Sequence, residues 1–493
     1  MNKKKLKKID KVNNLIATDY KELSELKLGD ITNFMIEFLK LKNGELIRYL
    51  PNEERFRYYK DGVWEAKKDF YIKKKIRKVL SYLEQNSSTY QINKVFTDLA
   101  FETGNALNEA IFSDHMQKKD YINFKNGMLN LNSMKLEEHK SDYHSIFQLP
   151  HEYDSEAKCP KWEKTLKEWI PDDETIRFMQ EYTGYLLVPD NSAQLFPILY
   201  GDGANGKSVF IDIIEELLGD NISTMGLSQF FGSEGRWTPA NLQGNLANIC
   251  GDIDPVYMKK QGLIKSILGQ DEITVERKFQ DHYQLRPITR LLFSANELPK
   301  SRDKTFGWYR RLEIIRFPNK FTPGTEGFDP DLKKKLKEEL AGILKWAIEG
   351  LIRFRENGEF TKSEQMIKDK RMYVQINDPI STFIDEHYEL VNDKEERIPT
   401  HLVYEKYKKW AEENGYSIEN KGILTQHLGK KDVEAKNKSY QGKICRHYLG
   451  IKEKSATIED ELDSVIDLNE LEGSMEKNKT VVANNGTKLE LFS

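Results

Sequence analysis

The chain carries, near its middle, the octapeptide Gly201-Asp202-Gly203-Ala204-Asn205-Gly206-Lys207-Ser208. It fits the pattern G-x-x-x-x-G-K-S/T, in which glycines let backbone N–H groups converge on phosphate oxygens while the lysine reaches the β- and γ-phosphates. An apolar run at residues 195–200 precedes it, and apolar residues at helical spacing follow at 209–218. A strand, a glycine-rich loop and a helix in this order predict a nucleoside triphosphate site, with a turn that binds nothing as the alternative.

Three further short apolar runs follow, at residues 246–250, 288–294 and 312–317. Helical spacing of apolar residues separates these runs and returns at residues 332–354. Strands that alternate with helices are typical of an α/β fold with a parallel sheet. We therefore predict an α/β core around the octapeptide.

Polar side chains stand at the ends of these predicted strands. Asp252 and Asp254 follow the first run, where a magnesium ligand and a water-activating acid are needed. Asn296 follows the second run, where an amide can hold the attacking water. Arg310 and Arg311 precede the third run and suit an arginine finger, which stabilises the charge on a transferring phosphoryl group. Ordinary turn chemistry and a solvated arginine pair are the alternatives.

In this order the motifs resemble superfamily 3 helicases, and within them the branch formed by the carboxyl-terminal half of phage, plasmid and poxvirus primase-helicases. The resemblance covers residues 110–450 approximately and includes Ser-Ala-Asn-Glu-Leu-Pro at residues 294–299. It implies an AAA+-type P-loop NTPase core and a hexameric ring. It also implies ATP and Mg²⁺ as cofactors, and 3′ to 5′ travel on single-stranded DNA held in the ring pore.

The resemblance assigns a role to each site residue. It makes Lys207 and Ser208 the Walker A pair, with Ser208 on magnesium, and it makes the two aspartates the Walker B acids. Asn296 becomes the sensor, and Arg310 or Arg311 becomes a finger acting in trans. The family usually has adjacent acids, whereas Ile253 separates Asp252 from Asp254. We favour Asp252 for magnesium and leave the general base open, because alternate strand residues share a face.

Residues 269–282 occupy the place where this family carries a hairpin that projects into the pore. Arg277, Lys278 and His282 surround Phe279, so phosphate-pairing cations flank a possible stacking ring. We predict that these three residues contact DNA, with a solvated charged hairpin as the alternative.

Helical patterns at residues 401–413 and 421–428 precede a strand-like stretch at residues 439–448. Two helices and a β-ribbon are a winged-helix pattern, and the family branch is similar in ending with such a module. Residues 421–454 hold nine basic residues against three acidic ones. This local excess predicts contacts to duplex origin DNA, and the residues we assign to them are Lys421, Lys430, Lys431, Lys436, Lys438 and Lys443.

The 493 residues predict two to four domains at ~100–200 residues each. The predicted divisions are a small, mostly helical amino-terminal domain at 1–110, a helical domain at 111–190, the ATPase at 191–375, the winged helix at 380–452 and an acidic, polar, disordered tail at 453–493. We also place a tight hairpin at the Asn-Gly pair within residues 124–131.

Composition excludes several classes of protein. Hydrophobic residues make up 38% and charged residues 31%, as in a soluble globular protein. No run approaches ~18 apolar residues, and the lysines of residues 1–11 precede no apolar segment, so we expect a cytoplasmic protein without a membrane partner. Three isolated cysteines predict neither a disulfide nor a zinc site. The net charge of -3 means that any DNA-binding surface must be local.

The leading hypothesis is an ATP-driven DNA helicase that initiates replication of a phage, plasmid or mobile island. We expect a homo-hexamer, with a primase or other replication proteins as further partners. A bifunctional primase-helicase is one alternative, although residues 1–110 are few for a polymerising domain. A non-enzymatic, ATP-switched origin-binding or loading protein is the other, and the arginine pair argues against it.

Overall fold

The structure is a computed structural model that describes residues 27–43, 46–51, 53–83, 85–104, 106–231, 238–253, 257–258, 261–275, 282–440 and 442–454. The chain divides into two compact units, residues 1–373 and residues 374–493. The predicted tail lies outside the described residues from residue 455 onward. In the described parts of the chain, no helix is both long and apolar enough to cross a membrane.

The amino-terminal region combines helices with an antiparallel sheet in the order β1-β2-β3. Its elements are α1 (Leu28–Asn43), β1 (Leu46–Leu50), β2 (Arg55–Lys60), β3 (Val63–Lys67), α2 (Asp69–Tyr82), α3 (Thr89–Thr103) and α4 (Ala106–Phe112). Ile72, Ile76 and Val79 recur at helical spacing on α2 and are buried. Our prediction of mostly helices overlooked the sheet, whose β2–β3 loop consists of Asp61 and Gly62.

A second antiparallel sheet follows and leads into two helices. These elements are β4 (Tyr121–Phe124), β5 (Gly127–Asn130), β6 (Lys135–Glu137), α5 (Pro160–Trp169) and α6 (Asp173–Tyr185). The predicted hairpin is confirmed, although its two loop residues are Lys125 and Asn126, since Phe124 pairs with Gly127. Trp162 of α5 stacks on Phe210. It lies in one hydrophobic core with residues of the segment predicted as the ATPase, 191–375. The region predicted as a helical domain therefore also contains a sheet and shares the core of the segment that follows it.

A five-stranded, all-parallel sheet forms the centre of this unit, in the order β15-β7-β13-β9-β8. Its strands are β7 (Phe196–Tyr200), β8 (Ile222–Ser223), β9 (Ala247–Cys250), β13 (Arg290–Ala295) and β15 (Leu312–Arg316). The four predicted strands are confirmed. We did not predict β8, because a strand of two residues is too short to show the alternation of apolar and polar residues that indicates a strand.

Helices and short strand pairs surround this sheet. They are α7 (Lys207–Leu218), α8 (Thr238–Leu242), β10 (Tyr257–Met258), α9 (Gly262–Gly269), β11 (Ile273–Val275), β12 (Tyr283–Leu285), β14 (Lys300–Ser301), α10 (Phe306–Tyr309), α11 (Leu332–Lys337), α12 (Leu340–Asn357) and α13 (Glu364–Asn377). Helix α12 packs along α6, and Gly350 permits this approach because a Cβ there would lie 2.5 Å from the backbone of Gln180. The helical pattern predicted at residues 332–354 is two helices, α11 and α12.

The carboxyl-terminal unit contains two small sheets, β17-β19-β18 and β16-β20. Its elements are α14 (Pro379–His387), β16 (Tyr388–Leu390), β17 (Arg397–Pro399), α15 (Thr400–Glu413), α16 (Lys421–Gly429), β18 (Glu434–Tyr440), β19 (Lys443–Leu449) and β20 (Ile451–Glu453). Its core includes Phe383, Tyr407 and Leu424. Both predicted helices are confirmed, and the strand-like stretch is a hairpin of β18 and β19.

Candidate nucleotide-binding site and DNA-contacting elements

The glycine-rich loop joins β7 to α7, and its shape requires glycine at two positions. Gly206 has φ 94°, and a Cβ there would lie 2.3 Å from the indole of Trp169. A Cβ on Gly201 would lie 2.6 Å from the carbonyl oxygen of Phe317. Side chains at either position would push the loop away from the core, so the loop can follow this path only because both residues are glycine.

Backbone and side-chain hydrogen bonds fix the loop from the side of β15. The amide of Phe321 donates to the carbonyl oxygen of Ala204 at 2.6 Å. Asn205 Nδ2 donates to the carbonyl oxygen of Phe317 at 3.2 Å. On the exposed side, Lys320 Nζ lies 3.4 Å from Asp202. These contacts together hold the loop in its curved conformation.

Lys207, the first residue of α7, is only 4% exposed. Its ammonium donates to the carbonyl oxygen of Gly201 at 2.6 Å, to Asn205 Oδ1 at 3.1 Å and to Asn296 Oδ1 at 3.2 Å. Burial lowers the pKa of Lys207, and the carboxylates of Asp252 and Asp202 act in the opposite direction. The cation is therefore held by neutral oxygens near a carboxylate, an environment in which phosphate oxygens can replace its partners.

Asp252 and Asn296 come together because their strands are neighbours. Strands β9 and β13 run parallel, and the amide of Ile253 extends the pairing by donating to the carbonyl oxygen of Ser294 at 2.9 Å. Both polar side chains are exposed at the carboxyl edge of the sheet. Ser208, in the first turn of α7, is also exposed, whereas Asp254 lies outside the described residues.

The two arginines lie at the opposite edge of the same sheet. They follow α10 and precede β15, which pairs in parallel with β7 from Leu312 onward. Arg310 is exposed and donates to Gln194 Oε1 at 3.0 Å. Arg311 donates to the carbonyl oxygen of Gly307 at 2.5 Å. The pKa of Arg311 is lowered mainly by burial and secondly by the positive charge of Arg310. Five-residue strands at ~3.3 Å per residue place this edge roughly 15 Å from the loop, so neither arginine reaches the loop of its own chain.

Strands β11 and β12 form the predicted antiparallel hairpin, with Val275 opposite Tyr283. Its tip lies outside the described residues and includes Arg277 and Lys278, while His282 is exposed beside β12. Strand β12 of the hairpin is tied to the amino-terminal region, because Tyr283 donates to Gln243 at 2.7 Å and Gln243 donates to Glu53 at 3.0 Å. These three residues border a cavity of about 340 Å³.

The six lysines assigned to duplex DNA are spread over α16 and the β18–β19 hairpin of the carboxyl-terminal unit. Those with exposed side chains are Lys430, Lys436 and Lys443, and those partly buried are Lys421, Lys431 and Lys438. Lys436 pairs with Glu434, and Lys431 lies 3.4 Å from Asp385. Asn420 caps α16 by accepting from the amide of Ile423 at 3.0 Å, so Lys421 is presented at an ordered helix start.

Sequence reasoning missed the residues that support this site from a distance in the chain. Lys320, Gln194 and the Glu53–Gln243 contact each depend on which strands are neighbours. Trp169 ends a predicted helix, but no local pattern placed its ring against Gly206. No pattern in the sequence indicates any of these four contacts.

Three family models match consecutive segments of the chain. They are described as "D5 N terminal like" for residues 37–171, "Family of unknown function (DUF5906)" for residues 199–311 and "Poxvirus D5 protein-like" for residues 375–453. The middle match includes the glycine-rich loop, the strand ends and both arginines.

Among known proteins, the chain is similar to candidate helicases of large DNA viruses. It is 22% identical over 366 residues to one from Acanthamoeba polyphaga mimivirus, covering 69% of this chain and 37% of that protein. It is 25% identical to one from Invertebrate iridescent virus 3 and 23% identical to one from Frog virus 3, covering 50% and 54% of this chain. The chain covers 29% and 30% of those two proteins. It therefore spans about a third of the length of each of these relatives.

A solved structure shares the fold. The carboxyl-terminal region of NrS-1 superposes with a TM-score of 0.51 at 11% identity, covering 88% of this chain and 100% of that one. The domain matches, the viral relatives and this fold together support a phage and viral primase-helicase family for this chain. The resemblance that its motifs indicate is therefore confirmed at the level of the family.

Proposed function

We propose that this protein is an ATP-dependent DNA helicase that acts in the initiation of replication of a phage, plasmid or mobile island. One observation carries the proposal: Lys207, Asp252 and Asn296 come from three different parts of the chain and meet at the carboxyl edge of a parallel sheet. Such an edge is where α/β proteins bind nucleotides. The strand order, with β7, β13 and β9 adjacent, supports an AAA+-type core.

The residues at this edge fit the chemistry of ATP hydrolysis. Lys207 neutralises charge at the β- and γ-phosphates, and Asn296 orients the attacking water. The exposed hydroxyl of Ser208 and the exposed carboxylate of Asp252 are oxygen ligands of the kind that Mg²⁺ prefers. Mg²⁺ held by these oxygens would supply positive charge that stabilises the phosphates. Either Asp252 or Asp254 is the general base.

The arginines support an assembly in which subunits share sites. Arg310 and Arg311 stand at the far edge of the sheet from their own loop. An arginine finger at that place can serve only the nucleotide of a neighbouring subunit. A closed ring provides every subunit with such a neighbour. We propose a homo-hexamer with single-stranded DNA in its pore. Arg277, Lys278 and His282 of each hairpin would contact that DNA.

We propose that the carboxyl-terminal unit is a winged helix, and the order of its elements supports this. Helix α14, strand β17, helices α15 and α16, and the hairpin of β18 and β19 follow in that sequence. In such modules the last helix enters the major groove and the hairpin contacts the backbone. The lysines of α16 and the hairpin support binding of duplex origin DNA.

ATP turnover with and without single-stranded DNA, combined with strand displacement on duplexes tailed at either end, tests the proposal. We expect DNA-stimulated hydrolysis and displacement that requires a 3′ tail. Hydrolysis without displacement of either substrate would refute the helicase. Displacement that requires a 5′ tail would refute the direction alone. Nucleotide binding without turnover would favour an ATP-switched loader.

A further inference from the structure

Helix α2 in the amino-terminal region carries a surface whose charge no assigned role uses. Residues 67–78 contain seven basic side chains and one acidic side chain, in a chain whose net charge is -3. Phe70, Lys74, Arg77 and Lys78 are exposed, and Phe70 retains 76% of its surface. We call these four residues the α2 face.

Helix geometry explains why these four residues share a side. Ile72, Ile76 and Val79 turn one side of α2 into the core, where they are at most 4% exposed. With 3.6 residues per turn, positions 70, 74, 77 and 78 fall on the opposite side. A phenylalanine ring is thus left in water among three cations.

The cations of the α2 face have no acidic partner among the residues that the structure describes. Within the described residues, no carboxylate forms an ion pair with Lys74, Arg77 or Lys78. Exposed lysines of the ATPase region differ, since Lys335 pairs with Asp329 at 2.7 Å and Lys362 pairs with Glu359 at 2.7 Å. The α2 face therefore offers its positive charge to a partner.

Helix α3 packs against α2 and carries aromatic rings of its own. Lys73 Nζ of α2 lies 4.7 Å from the ring centroid of Phe96 on α3. Within the α2 face itself, Phe70 is the exposed ring that accompanies the three cations. An open ring beside cations matches a chain that presents phosphates and unstacked bases alternately.

From this charge and the exposed ring of Phe70 we propose that the α2 face is a docking site for single-stranded DNA on the amino-terminal region, separate from the proposed pore. Lys74, Arg77 and Lys78 pair with successive phosphates, and Phe70 stacks on a base. Duplex DNA hides its base faces and would leave Phe70 without a partner. The inference does not depend on ATP hydrolysis, because it concerns binding alone.

The test uses the full chain without nucleotide and a fluorescent thirty-nucleotide oligothymidine, with anisotropy measured over a range of salt concentrations. The variant Lys74→Gln/Arg77→Gln/Lys78→Gln removes the three charges. We expect at least tenfold weaker binding and a log–log salt dependence that is shallower by about two, since each phosphate contact contributes ~0.7 for single strands. Lys334→Gln/Lys335→Gln/Lys362→Gln removes three charges elsewhere and should bind as the unaltered protein does.

Phe70→Ala tests the stacking contact separately. It should weaken binding of oligothymidine about fivefold or more but leave binding of an abasic strand of equal length unchanged. Equal binding by the triple variant and its control would overturn the proposal. So would a triple variant that loses binding only to anionic lipid vesicles, or only to duplex DNA. Matched thermal melting curves would show that the variants fold.

Discussion

The two edges of the central sheet differ in what each can do alone. The carboxyl edge brings Lys207 within 3.2 Å of Asn296 and close to Asp252. The amino edge holds Arg310 and Arg311, whose partners Gln194 and Gly307 lie at the same edge. Parallel strands separate the edges by their own length, so the arginines and the glycine-rich loop of one chain stand apart. The proposed arginine finger therefore requires a second copy of the chain, whose amino edge would meet the carboxyl edge of the first.

The largest effect should come from the carboxyl edge. Lys207→Ala removes the buried cation at the phosphates and should lower ATP turnover by about a hundred- to a thousandfold. Steady-state hydrolysis measures this, and thermal melting checks the fold. Lys320→Ala is the matched control, because Lys320 also contacts the loop but pairs with Asp202 in solvent. Full turnover in a folded Lys207→Ala protein would contradict the assignment.

Substitution at the amino edge should lower ATP turnover almost as much, but a neighbouring subunit should be able to restore it. Replacing the finger, Arg310 or Arg311, by alanine should lower turnover at least a hundredfold. Mixing that variant equally with Lys207→Ala gives half the subunits a finger and half a lysine. About a quarter of the interfaces then hold both, and turnover should recover toward that fraction. No recovery at any ratio, with mixed assemblies confirmed, would mean that the site does not span subunits.

Asn296→Ala alters a second residue of the carboxyl edge, so its behaviour in mixtures should differ from that of the arginine variants. Loss of the amide that orients water should lower turnover about tenfold to a hundredfold. Mixing Asn296→Ala with Lys207→Ala should restore nothing beyond the activity of the Asn296→Ala protein itself, since both residues serve the same loop of one chain. Recovery in this mixture would show that Asn296 acts across the interface instead.

The smallest effect concerns the tie between the hairpin and the amino-terminal region. Tyr283→Phe removes one hydroxyl that donates to Gln243. A neutral hydrogen bond contributes ~1 kcal/mol, so DNA stimulation of hydrolysis should fall about two- to fivefold while unstimulated turnover stays constant. Tyr121→Phe, which removes the hydroxyl that accepts from Asn130, is the control. Equal stimulation in both variants would mean that the tie does not act on the hairpin.

The sequence alone revealed the parts of the site that local patterns encode. Four of the sheet's strands are recognisable apolar runs. The glycine-rich loop and Asn296 each follow one of these runs. Asp61-Gly62 is a turn signal of the same quality, and we missed the β2–β3 hairpin because charged and aromatic residues mask its alternation. The separation of the two edges was beyond sequence reasoning, since it follows from parallel pairing between segments that are about 110 residues apart.

Trp169 has a spectroscopic consequence. Its indole lies so close to Gly206 that a single added carbon would collide with the ring. Indole emission responds to small changes in nearby packing and polarity, so phosphate entry into the loop should alter the fluorescence of this tryptophan. The chain has seven tryptophans, and Trp162 lies 6.1 Å from Trp169 between ring centroids. With the more distant tryptophans replaced by phenylalanine, Trp169 would report nucleotide arrival in a stopped-flow instrument without any attached dye.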